Sequence, residues 1–563
     1  MSKNFYTIDT YNKMIRFYFP KNDKIRDDLR GQFSECHWNP SFNAWIVPYK
    51  PFMKDLIISF VKKYGFEFKS EEQKSFPKYD HSVNEVTMSK MIEVCENRKF
   101  TYQPRPYQYE ALYYALQKHS FINGDDVGLG KTMEAIMYTE VLRAFPVIVI
   151  VPASVKYNWG EKWSEIVGEH RTVSVIESAS KKNNWDADVV IINYDILGKK
   201  QGNGVTLKFD ELFKKWKMYI FDEIHFCKES KSMRTKAARL LVKQSNDPVQ
   251  GLTGTAIMSK PAELWSILRI IRREKYIAPN ERDFQFKYCG AYKSKFGMVT
   301  TGATNTLELN SVLRETCYLR REKREVLKDM PPVTTEILDM KITNIKDINN
   351  AQNDLYDFLL KTKGFESAEK AMEAESLVIL GVLRKLSIVG KLKAITQYLD
   401  DWLLTGKKLV IFGLHREELD FLAERYKSDL IAGGVTAKKK QDIVKRWIED
   451  DKPFLFANIS SAGTGVDGLQ NVCSNMLILE LPWRPSDLVQ TIARIDRSGQ
   501  TEPCNVRFAL SQLTIDLEMW DMIGEKEITA EAVNKGIDIT NEESGMKIVM
   551  RKFLENQRKK KKV

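Results

Sequence analysis

The sequence predicts an α/β protein with two parallel-sheet lobes covered by helices, preceded by a small α+β module. Three observations predict it. Short, continuously apolar runs recur in two separate series. Helical-looking stretches separate the runs at the distances of βαβ units. The chain is 563 residues long and 43% hydrophobic, enough for several cores at about 100–200 residues per domain.

The first series comprises residues 146–151, 188–192, 218–221 and 250–253, and the second 408–412, 453–457 and 475–479. Runs without polar alternation are strands buried on both faces, as in a parallel sheet. Between the series, residues 276–390 are charged and helical in character, punctuated by Pro331-Pro332. They are expected to form helical insertions and an interlobe linker. The aromatic-rich start of the chain is expected to be separate. The expected division is 1–98, 99–275, 276–390, 391–530 and 531–563.

Composition excludes several classes. Residues 1–13 are polar, so no secretory signal is expected. The most apolar run, 144–155, falls short of the roughly 20 residues that span a bilayer. The seven cysteines are odd in number and contain no C-x-x-C pair, so neither a disulfide framework nor zinc is expected. A reducing compartment fits: cytoplasmic and nucleoid-associated in a bacterial or phage-infected cell, nuclear in a eukaryote. The net charge of +12 permits a polyanion partner without requiring one. Its distribution is uneven, with +3 in the first 98 residues and +5 in the last 23, which end in a lysine run.

Three motifs carry chemistry. Gly124-Asp-Asp-Val-Gly-Leu-Gly-Lys-Thr132 precedes a helical run. Glycines let backbone N–H groups approach a polyphosphate, and a helix N-terminus favours the anion. Lys131 can reach the β/γ-phosphates and Thr132 can hold Mg²⁺. Asp222-Glu223-Ile224-His225 follows an apolar strand. There Asp222 can support Mg²⁺, and Glu223 can orient and deprotonate an attacking water. In Gln490-Thr-Ile-Ala-Arg494-Ile-Asp-Arg497-Ser-Gly-Gln500 the two arginines are three apart, on one helical face. From a second lobe they could stabilise charge on a transferring phosphoryl group.

Taken in order, these motifs resemble the Swi/Snf-type DNA translocases of helicase superfamily two. Arg105-Pro-Tyr-Gln108 resembles the adenine-reading Q motif. Residues 125–132 resemble motif I, in which an acidic pair also precedes the glycines. Motif Ia is matched by Val151-Pro-Ala-Ser-Val-Lys-Tyr-Asn-Trp159, motif Ib by Ile192-Asn-Tyr-Asp195 and motif II by the DExH box. Leu252-Thr-Gly-Thr255 with Glu263-Leu-Trp265 resembles motif III, and Arg320-Arg-Glu-Lys323 the segment joining the lobes. Ile411-Phe-Gly-Leu-His415, Ser461-Ala-Gly-Thr-Gly465 and 490–500 resemble motifs IV, V and VI. Motif V departs from the family at Gly468, and motif VI at 491–493 and Asp496. The N-terminal stretches 15–19, 37–40 and 44–48 resemble the HARP module of annealing helicases.

The resemblance implies two RecA-like lobes and an ATP- and Mg²⁺-dependent translocase on double-stranded or branched DNA. Strand annealing, fork regression or branch migration would be its output. It implies a catalytic set of Lys131, Asp222, Glu223, Gln490, Arg494 and Arg497. Arg105, Gln108, Asp125, Gly128, Gly130, Thr132, Gly465 and Asp467 would meet the nucleotide. Ser154, Lys156, Asn158, Trp159, Asn193, Tyr194, Trp483 and Arg484 would meet DNA, mainly its phosphates. A monomer is expected, with replication or repair proteins as partners. The alternatives are a strand-separating helicase, a remover of DNA-bound proteins, or a non-catalytic DNA-binding scaffold.

Overall fold

The computed structural model describes residues 4–9, 14–33, 36–39, 44–48, 54–68, 81–98, 100–168, 170–177, 183–254, 261–294, 297–300, 302–361, 369–462, 466–534 and 549. Gly465 and the C-terminal basic run lie outside them.

At the N-terminus a five-stranded sheet runs in the order His37–Asn39, Ala44–Pro48, Met14–Tyr18, Phe5–Asp9, Glu67–Phe68. The helices Asp23–Gln32 and Lys54–Tyr64 accompany it, the first capped by the Asn22 side chain on the Ile25 amide at 3.1 Å. Phenylalanines make its core: Phe17 meets Phe60 and Phe66 edge-on at 5.5 and 5.2 Å. Trp45 is half-buried under the Arg30 guanidinium at 5.0 Å, so it packs at the rim. The helix Glu85–Glu96, within the span assigned from sequence to this module, instead buries Met91 and Cys95 in the core of the next unit.

That unit is the first lobe. Its seven strands run Tyr318–Leu319, Phe121–Asn123, Val249–Leu252, Met218–Asp222, Val147–Val151, Val189–Asn193, Val173–Val175, and every pairing is parallel. Val147–Val151 and Val189–Asn193 are buried at every position because helices cover both faces. The second lobe has six parallel strands in the order Val333–Asp339, Cys504–Leu510, Asn475–Ile478, Leu409–Gly413, Phe454–Asn458, Asp429–Ile431. Alternate residues serve opposite faces, as a strand's two-residue period requires. Val410 and Phe412 enter one core with Trp447, while Leu409 and Ile411 enter the other with Trp402.

The stretch 276–390, expected as insertions and linker, is built into both lobes. It supplies edge strand Tyr318–Leu319 to the first sheet and Val333–Asp339 to the second. Neither carries an apolar run: one is two residues long and the other is largely solvent-exposed along an edge. The long helix Glu369–Leu403 starts in this stretch and enters the second lobe's core. There Lys391 is fully buried, donating to the Leu479 and Ala509 carbonyls at 2.9 and 2.8 Å and to Asp516 at 2.7 Å.

Candidate active site between the two lobes

Strand Phe121–Asn123 delivers the glycine-rich loop, and helix Lys131–Leu142 carries it away. Gly128 has φ +94, which a side chain would strain, and a Cβ there would also lie 3.1 Å from the Cβ of Arg497 in the second lobe. Lys131 Nζ folds back on the loop, donating to the Asp125 and Asp126 carbonyls at 2.7 and 3.1 Å. Burial lowers its pKa, while Glu223 and Asp125 pull the other way. Thr132 follows in the first helical turn, partly exposed.

The acidic pair of the loop is tied to the segment after the first-lobe edge strand. Asp125 is fully buried and receives the Arg321 amide at 2.8 Å and the Arg321 guanidinium, Nε at 3.0 Å. Arg321 also reaches Glu134 at 3.0 Å, a carboxyl that burial pushes up to about 7 against the pull of that arginine. Asp126 pairs with Arg320 and accepts the Lys323 amide at 2.9 Å. The Asp125 carboxylate, expected to meet the nucleotide, is paired with Arg321 in this structure. Breaking such a buried pair costs about 3–5 kcal/mol.

Gln108 lies on helix Pro106–Lys118 and is buried. Its Oε1 accepts the Arg105 amide at 3.0 Å and its Nε2 donates weakly to the Leu129 carbonyl at 3.4 Å. Tyr107 Oη donates to the same carbonyl at 2.9 Å. Beside them opens a cleft of about 400 Å³ lined by Arg105, Tyr107, Leu327, Met330 and Gly499. It joins the Q-motif-like residues to the end of the arginine motif.

Asp222 ends the strand Met218–Asp222 in the centre of the first sheet. Its Oδ2 accepts the Trp159 indole N–H at 2.8 Å and its Oδ1 the Glu223 amide at 3.1 Å. Burial, then the neighbouring Glu223, pushes the Asp222 carboxyl up to about 6. Glu223 has φ +50, a left-handed conformation uncommon outside glycine. Burial works to raise its pKa, but His225, Lys131 and Arg494 outweigh it and hold the carboxylate charged. His225 Nδ1 lies 3.1 Å from both Glu223 Oε2 and Thr253 Oγ1, so it links the acidic box to the motif-III-like segment.

The second lobe brings its arginines to this place. Arg494 donates to the Val466 carbonyl at 2.7 Å; burial, then repulsion from Arg497, lowers its pKa to about 10. Arg497 pairs with Asp467 at 2.7 Å. Gln490 is half-buried on helix Pro485–Ile492. The structure thus brings together Lys131, Asp222, Glu223 and Arg494 in one electrostatic neighbourhood, with Arg497 against Gly128.

The expected DNA contacts divide. Trp159 is 1% exposed with its indole on Asp222, and Tyr194 is 2% exposed with its hydroxyl on the Asp222 carbonyl at 2.7 Å. Lys156 is 8% exposed and donates to the Ile176 carbonyl at 2.9 Å; Asn193 is likewise buried. All four are buried side chains with polar partners inside the lobe, Asn193 through a long contact to Asp195 at 3.4 Å. Ser154 and Asn158 are partly exposed, Trp483 packs under Arg384 at 5.2 Å, and Arg484 is exposed. Arg320, Arg321 and Lys323 pair with acidic residues distant in sequence, an arrangement that no single motif announces. Its one signal was complementary charge in two motif-like segments.

Among the described residues no cluster of three or more His, Cys, Asp or Glu could hold a metal, and no helix is long and apolar enough to cross a membrane. All seven cysteines are free thiols.

A SNF2-related domain is recognised over residues 42–395 and a helicase conserved C-terminal domain over 390–499. The SWI/SNF-related matrix-associated actin-dependent regulator of chromatin subfamily A-like protein 1 of Xenopus tropicalis is 28% identical over 431 residues, covering 75% of this chain and 44% of that protein. The DNA annealing helicase and endonuclease ZRANB3 of Homo sapiens is 24% identical over 448 residues, covering 76% and 40%. The chain thus spans less than half the length of these relatives. Among solved structures, the Sulfolobus solfataricus SWI2/SNF2 ATPase core in complex with dsDNA is similar at 19% identity and a TM-score of 0.37, over 78% of this chain and 94% of that one. With its first domain match extending over more than half of its residues, the chain belongs to the SNF2-related family of helicase-type ATPases.

Proposed function

We propose that the chain hydrolyses ATP to move along double-stranded DNA, and that branched DNA is its preferred form, for strand annealing, fork regression or branch migration. One observation carries the reading: Arg494 and Arg497 of the second lobe converge on Glu223 and the phosphate loop of the first. A site divided in this way ties hydrolysis to lobe movement. The preference for branched DNA draws its support from a relative named as a DNA annealing helicase.

The residues fit the substrate. A Cβ at Gly254 would lie 2.4 Å from Val127 Cγ2 and 3.3 Å from Lys131 Nζ, so that glycine lets the motif-III-like segment pack directly against the phosphate loop. Lys131, held by two loop carbonyls, exchanges them for phosphate oxygens. Mg²⁺ suits a site with few protein carboxylates plus substrate phosphates, here Thr132 and Asp222, and would neutralise phosphate charge. Glu223, kept ionised beside His225, accepts the proton of the attacking water at its carboxylate. Arg494 and Arg497 stabilise the charge developing on the transferred group, with Gln490 completing that set. Arg105, Gln108 and the adjoining cleft hold the base. Ser154, Asn158, Trp483 and Arg484 are the more exposed candidates for the DNA grip.

The test compares ATP turnover without DNA and with single strands, duplex, fork and four-way junction at one salt concentration. Stimulation of about tenfold or more by duplex and junction is expected, with a loss of at least about 100-fold in Lys131→Ala. Turnover indifferent to every DNA, or unchanged in Lys131→Ala, overturns the reading.

A further inference from the structure

We propose that Lys323 and Asp496 form a latch between the lobes that positions Arg497 over the phosphate loop. The proposal rests on the hydrolytic reading of Arg497 above.

The two residues belong to different lobes. Lys323 stands four residues after edge strand Tyr318–Leu319, which pairs with the strand leading into the phosphate loop. The segment stays on the first lobe. Arg320 donates to the Gly124 carbonyl at 2.7 Å, the Asp126 amide to the Arg321 carbonyl at 3.1 Å, and the Lys323 amide to the Asp126 carboxylate at 2.9 Å. Asp496 stands on the second lobe, its amide donating to the Ile492 carbonyl at 3.1 Å.

Lys323 Nζ crosses between them. It donates to Asp496 Oδ2 at 2.7 Å and to the Asp496 main-chain carbonyl at 2.6 Å, with Arg324 adding a longer contact to Oδ1 at 3.4 Å. Gripping the carbonyl as well as the carboxylate fixes the backbone directly before Arg497. The Arg497 side chain is fixed separately by Asp467 at 2.7 Å, and its Cβ sits against Gly128. One short segment therefore holds the loop's acidic pair on one side and the arginine motif on the other. The side chains of Lys323 and Asp496 are only 10% and 13% exposed, so salt screens this pair far less than a surface pair. Positioning an arginine that acts on transition-state charge affects turnover more than substrate affinity.

The experiment is a double-mutant cycle of Lys323→Met, Asp496→Ala and the double variant in the full chain. It reads DNA-stimulated kcat, KM for ATP, and the small-angle scattering radius of gyration without nucleotide or DNA. Each single variant is expected to lower kcat about five- to 20-fold with KM within about twofold, and the double to be no slower than the slower single. The radius is expected to rise in each variant. Lys323→Arg, which keeps the charge, is expected to recover at least half of wild-type turnover, and its failure to do so overturns the latch. So do an unchanged kcat, multiplicative losses in the double, or a loss confined to KM. Wild-type turnover indifferent to DNA would instead overturn the functional reading. The scattering comparison then decides the latch by itself, an unchanged radius refuting it.

Discussion

Both oxygens of Asp222 are occupied, one by the Trp159 indole and the other by the Glu223 amide, so the carboxylate is held in one orientation. The indole donor also opposes the upward shift that burial and Glu223 impose on that carboxyl. Trp159→Phe keeps an aromatic ring and removes the donor. Stability is expected to fall by about 1.5–3 kcal/mol, the range for a hydrogen bond to a charged group. DNA-stimulated kcat is expected to fall about tenfold through loss of orientation. Thermal unfolding and steady-state kinetics check the two effects, and unchanged turnover would leave the indole a packing group only. The tryptophan's chemistry was open in the sequence: a donor on an amphipathic ring suits DNA or a buried acceptor equally. Burial decided it.

Within elements, the ends of parallel strands are where single side chains organise the second lobe. Glu480, just beyond strand Asn475–Ile478, accepts the Leu414 and His415 amides at 2.8 and 2.9 Å and faces His415 Nδ1. It thereby stitches the end of Leu409–Gly413 to its neighbour. Burial works to raise its pKa, but His415 and the two amides outweigh that and hold it below the ordinary carboxylate range. A depressed folded-state pKa means that the stabilisation is fully present above the unfolded value of about 4.3 and is lost as pH falls through the folded value. Glu480→Gln is expected to cost roughly 1.5–3 kcal/mol at pH 7 and to flatten the acid side of the stability profile. Unfolding midpoints at pH 7 and at progressively lower pH measure both. The same scale explains which strands were legible. Val147–Val151 and Leu409–Gly413 are central, covered on both faces and uniformly apolar. Tyr318–Leu319 and Val333–Asp339 are edge strands whose pairing comes from their neighbours, with no run of their own to announce them.

For the molecule as a whole, the lobes meet at contacts of unequal character. Besides the Lys323–Asp496 pair, Gln441 on helix Ala437–Glu449 donates to Glu161 on helix Lys156–Val167. That second contact is exposed, and an exposed polar pair contributes only about 0–1 kcal/mol. Glu161→Ala is therefore expected to leave turnover within about twofold of wild type and the scattering radius unchanged. A larger effect would mean that closure is spread along the whole cleft.

The sequence by itself determined the α/β class, the two strand series and the order of the phosphate loop, acidic box and arginine motif. These depend on local patterns of apolar runs, glycines and charge spacing. Only the tertiary structure decided the partners. It paired Asp125 with Arg321 and buried Lys156, Trp159, Asn193 and Tyr194 within the first lobe. It also joined Asp496, a departure from the family pattern, to Lys323 across the cleft. The physical reason is separation along the chain. Asp125 and Arg321 are 196 residues apart, and Lys323 and Asp496 are 173 apart. Charge–charge contacts at such distances have no local pattern and exist only once the sheets have set the strand ends side by side.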